Sequence, residues 1–62
     1  MIFKNISRLC SEKGISIAKL ERETGISNGT IARWDNSSPT VENLAKVADR
    51  LEVSVDFLLG RT

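Results

Sequence analysis

Sixty-two residues, 40% hydrophobic and 27% charged, make one ordinary globular domain near the lower size limit for folding without disulfides or metal. A single cysteine and no histidine exclude an intrachain disulfide and a zinc site, and no apolar run reaches the roughly 20 residues that span a bilayer. The net charge of +1 argues against a protein that coats nucleic acid nonspecifically, which needs a far more basic chain.

The first predicted helix is marked by Phe3, Ile6, Leu9 and Cys10, one apolar stripe at helical period, and Gly14 ends it. Ser16 caps a second helix, with Ile15 and Leu20 spaced as a hydrophobic staple across the cap. Gly25 stops that helix, because glycine takes a left-handed C-terminal conformation without a Cβ penalty. Only Ile26 separates Gly25 from Ser27, which is expected to cap a third helix, Ser27–Asp35, with Ile31 and Trp34 on its buried side. Two helices joined so tightly must cross steeply, which is the geometry that places a helix in a major groove. Asn36-Ser37-Ser38-Pro39 is a turn cluster. Thr40 caps a fourth helix whose inner face is Leu44, Val47, Ala48 and Leu51. Ser54 caps a short fifth helix carrying Val55, Phe57, Leu58 and Leu59 up to Gly60. Phe57 and Leu58 are expected in the core, Val55 and Leu59 in an exposed patch. The fold class is therefore all-α: five helices around one small core.

These residues resemble a Cro/CI-type helix-turn-helix domain of the lambda-repressor-like fold, the kind found in phage repressors and related bacterial regulators. The resemblance rests on Leu20, Gly25, Ile31 and Trp34, on Asn36, and on Val53-Ser54-Val55-Asp56-Phe57-Leu58-Leu59, and it covers residues 1–62 as one domain. Two positions depart from it. Relatives commonly carry glutamine where this chain has Ile17, and alanine where it has Glu21, a larger charged residue at a close approach of two helices.

The resemblance implies that the third helix reads double-stranded DNA. Asn28, Gly29, Thr30, Ala32 and Arg33 are then the expected base-contacting residues. Asparagine bonds adenine bidentately, arginine bonds guanine or phosphate, and the small Gly29 and Ala32 let the backbone lie close to the base edges. Ser16, Ile17, Ser27, Asn36, Ser37, Ser38 and Thr40 are expected at phosphates, those at Ser16 and Ile17 through free N–H groups of the second helix. Plainer readings stand beside these: Asn28 and Gly29 as a polar helix start, Ser37, Ser38 and Thr40 as turns and caps, Trp34 as a core anchor. Cys10 reads as a core thiol, and the carboxylates read as scattered along charged faces without a pocket.

The expected function is a sequence-specific transcriptional regulator, a repressor acting by promoter occlusion, and not an enzyme. The alternative is a helical protein-interaction module, such as an antitoxin with a repressor-like fold, which the small net charge favours. No cofactor, metal, membrane or small-molecule substrate is expected. The expected partners are a palindromic operator and a second copy of the chain, in a weak homodimer or a dimer formed on DNA. The expected setting is the cytoplasm of a bacterial host. The chain fits a whole small regulator and the DNA-binding half of a longer one equally well.

Overall fold

Three of the four expected caps divide the chain where the sequence places them. The computed structural model describes residues 2–61. It contains four α-helices: α1 (Ile2–Lys13), α2 (Ile17–Thr24), α3 (Val41–Leu51) and α4 (Val55–Leu58). Between α2 and α3 lies one 3₁₀ turn, Ile31–Arg33. Ser16, Thr40 and Ser54 each have extended backbone and accept a backbone N–H on the side-chain oxygen, from Lys19 at 3.0 Å, Asn43 at 3.1 Å and Phe57 at 3.0 Å. Each bond satisfies one of the donors that a helix start leaves unpaired. Gly25 ends α2 in the left-handed region at φ 77°.

One core joins the helices. Ile6, Leu9 and Cys10 of α1 meet Leu20 of α2, Ile26 of the turn, Ile31 and Trp34, Leu44, Val47, Ala48 and Leu51 of α3, and Leu58 of α4. α1 touches α2, α4 and the 3₁₀ turn, while α3 packs between α2 and α4. Ile15, the staple residue, is partly buried against the same core. Two long-range bonds fasten α1 at its start. Asp35 Oδ1 accepts the Phe3 N–H at 3.2 Å, and Asn5 Nδ2 donates to the Leu58 carbonyl at 3.0 Å. No helix among the described residues is long and apolar enough to cross a membrane.

Three expectations are corrected. The stretch Ser27–Asp35 is not an α-helix, so the described residues hold four α-helices and not five. Gly29 sits at φ 86°, which no α-helix contains, and Pro39 closes the other end through its restriction on Ser38. The few residues left between them tighten into i→i−3 bonds, as short helical pieces do. Second, Ser27 does not cap this segment with its side chain. Its carbonyl accepts the Thr30 N–H at 3.1 Å, and Thr30, the residue before the 3₁₀ turn, makes no side-chain cap. Third, α4 has only four residues and cannot turn all its apolar groups inward. Leu58 is fully buried and Phe57 is 39% exposed, while Val55 and Leu59 are partly buried against the core.

Candidate nucleic-acid interface

The segment after α2 is anchored from below and open above. Ile31 and Trp34 are three residues apart, one 3₁₀ turn, and both enter the core. That leaves Asn28, Gly29, Ala32, Arg33, Asp35 and Asn36 exposed, with Thr30 half-buried. Five successive i→i−3 or i→i−4 bonds run through it, from Thr30 N–H onto Ser27 to Ser37 N–H onto Arg33, at 2.8–3.1 Å. The segment is a train of turns around a single 3₁₀ core.

Its start is held by α2. Glu21, expected on a charged face, is 2% exposed. One carboxylate oxygen accepts the Gly29 N–H at 3.0 Å, and the other accepts the Ile31 N–H at 2.9 Å. The sequence also marks Glu21 as a departure from the family pattern at a close approach of two helices, but not as a partner of this segment. The available signal was an unusual carboxylate seven residues before an Asn-Gly pair, a dipeptide that marks a turn more often than a helix start.

Two hollows bring the polar side chains together. One, of about 220 Å³, is lined by Thr30, Arg33, Trp34, Ser37, Ser38, Pro39, Thr40 and Asn43. It unites Thr30 and Arg33 with Ser37, Ser38 and Thr40 from the loop before α3. The other, of about 300 Å³, places Asn28 beside Ala18, Glu21, Arg22 and Ile26. Ser16 and Ser27 are exposed, whereas Ile17 leans against the core. Val41, which the sequence did not single out, stands 82% exposed directly after Thr40. Arg33 projects outward, and Asp35 has its carboxylate turned to the first turn of α1.

Residues 5–62 match the family model of the Cro/C1-type HTH DNA-binding domain. The chain belongs to that family. This Cro/C1-type domain is also 44% identical over 46 residues to the cryptic phage CTXphi transcriptional repressor RstR of Vibrio cholerae serotype O1. That alignment covers 71% of the chain and 41% of the repressor, so the chain spans less than half of that relative's length. No solved structure matches the sequence. Within the Cro/C1-type domain, α2 is followed behind Gly25 by a segment whose ordered part is the 3₁₀ turn Ile31–Arg33.

Elsewhere the chemistry is quiet. Burial pushes the Cys10 thiol up from its ordinary value, against a smaller opposing pull from the Arg50 charge, so little reactive thiolate forms. Among the described residues no three His, Cys, Asp or Glu side chains gather as a metal site.

Proposed function

We propose that this chain is a sequence-specific transcriptional regulator that represses by occluding a promoter, with the segment 27–35 lying in the major groove of double-stranded DNA. The observation that carries the reading is the two-sided build of that segment. Ile31 and Trp34 lock one side into the core, while Asn28, Gly29, Ala32 and Arg33 face outward. In this reading Asn28 pairs with adenine and Arg33 with guanine, Thr30 and Ala32 pack against thymine methyls, and Gly29 lets the backbone approach. Ser37, Ser38, Thr40 and Asn36 lie along the neighbouring strand as phosphate donors. Ser27, with Ser16 and the first-turn N–H groups at Ile17, serves the phosphates on the opposite side. Repression then needs no bond making, only residence over the site where polymerase loads, inside the bacterial cytoplasm.

One such domain offers little surface for tight specific binding. Phe57, 39% exposed on α4, is the apolar group that supports a weak homodimer, or a dimer formed on DNA, over a palindromic operator. Footprinting on a duplex selected from a random pool tests both parts. The expected result is paired half-sites about 34–36 Å apart, with affinity falling steeply as salt rises. A single unrepeated half-site removes the dimer. Selection of no sequence, together with salt-insensitive capture of a protein partner, replaces the DNA reading by the interaction module.

A further inference from the structure

We propose that Glu21 is the positioning residue of the DNA-reading segment. Its two carboxylate oxygens, presented from α2, set the orientation in which Asn28, Ala32 and Arg33 meet the bases. The proposal rests on the DNA-binding reading above.

A single 3₁₀ turn has almost no stability of its own, since helix nucleation is unfavourable and 3₁₀ geometry is poorer than α. Something outside the segment must hold it. Ile31 and Trp34 fix its depth, but apolar contact is non-directional and leaves the turn free to rock about that anchor. Hydrogen bonds to an ionised group are directional and stronger than neutral ones. Glu21 supplies two of them, to N–H groups two residues apart at 3.0 and 2.9 Å. At 2% exposure it is shielded from competing water.

The backbone is shaped to receive that carboxylate. Gly29 at φ 86° is followed by Thr30 in the right-handed region at φ −68°, ψ −44°. This succession points the N–H groups at 29 and 31 to one side, forming the kind of backbone concavity that binds anions elsewhere. A Cβ at Gly29 would meet nothing within 4 Å, so glycine is needed there for its conformation and not for space. Glu21 and Gly29 therefore form a matched pair. The anion seat of the turn is filled by the protein's own carboxylate, so the N–H groups of Gly29 and Ile31 are not free for phosphate.

The test is a double-mutant cycle on a duplex selected by the wild-type protein, using Glu21→Gln, Gly29→Ala and the pair. Folding is checked by circular dichroism, and amide exchange at positions 29 and 31 is followed without DNA. Glutamine keeps the volume but offers one acceptor where two are needed. The expected loss of affinity is about ten- to hundredfold, with base preference blunted at the positions read by Asn28–Arg33 and an unchanged salt slope. The Ile31 N–H should exchange faster. The two substitutions together should cost no more than the worse one alone. A folded Glu21→Gln protein with wild-type affinity and base preference overturns the proposal, as do losses that simply multiply. If Glu21→Gln fails to fold, Gly29→Ala decides alone. Weaker binding with faster Ile31 exchange supports the pair, and weaker binding with unchanged exchange overturns it. Wild-type protein that selects no duplex sinks the DNA reading and this proposal together, an outcome distinct from a failure of Glu21 alone.

Discussion

Glu52 closes α3 in the left-handed region at φ 61°, ψ 40°, and among the described residues it is the one non-glycine at positive φ. Its N–H still bonds back to the carbonyls of Ala48 and Asp49, so the cap works but carries the strain of a Cβ. Left-handed geometry costs an L-residue roughly 1–2 kcal/mol, and glycine returns part of that gain as lost chain entropy. Glu52→Gly should therefore stabilise the domain by about 0.5–1 kcal/mol, raising the thermal midpoint by a few degrees in a scan. An unchanged or lower midpoint contradicts the assignment. A second residue-scale effect lies at Glu23, whose carboxylate accepts from Arg50 Nε at 2.6 Å. That hydrogen bond holds the Glu23 carboxyl below its ordinary value against the opposing effect of desolvation, with smaller help from the charges of Arg50, Lys19 and Arg22. A depressed folded pKa gives stability that is present above the unfolded value, about 4.3, and lost as pH falls through the folded one. Denaturant melts of wild type and Glu23→Gln should thus differ at neutral pH and converge in acid. A difference that grows in acid refutes the pairing.

The elements divide by how local their causes are. Ser16, Gly25, Thr40 and Ser54 were legible in the sequence because a cap is decided within about four residues of itself. The inner face of α3 was legible because Leu44, Val47, Ala48 and Leu51 repeat at one period. The segment after Ser27 was not. Ile31 and Trp34 are three apart, a spacing that α and 3₁₀ geometry share, so periodicity left the two unresolved. The positive φ at Gly29 and the carboxylate of Glu21 decided it, and the second acts across α2 and a turn. The same distance problem hid the role of Asp35, the expected end of the third helix, whose carboxylate accepts the Phe3 N–H in the first turn of α1 at 3.2 Å. Asp35→Ala should cost about 0.5–2 kcal/mol, the worth of a cap, and fray the start of α1, whereas Asp35→Asn should retain most of the stability. Chemical denaturation of the two variants measures this. Equal stability of Asp35→Ala and wild type would show the bond to be idle.

For the molecule as a whole, size sets the margin. A chain of 62 residues has about 3–9 kcal/mol in hand, and truncating a core side chain such as Leu44 or Trp34 to alanine costs about 2–5 kcal/mol. Core and interface cannot then be tested by the same substitutions. Arg33 and Asn28 are exposed, so replacing them leaves the fold intact and probes function alone. α4 shows how little core remains: four residues bury Leu58 and leave Phe57 partly outside. The central claim is that the outward side of the segment 27–35 reads DNA sequence. The most direct measurement determines the affinity of wild type, Asn28→Ala and Arg33→Ala for a selected duplex and for each of its single-base variants. Both substituted proteins should keep the wild-type helical signal and bind the duplex more weakly. Each should lose discrimination of about 1–3 kcal/mol at one base position, the worth of a bidentate contact. Both variants binding the whole series as wild type does would contradict the account.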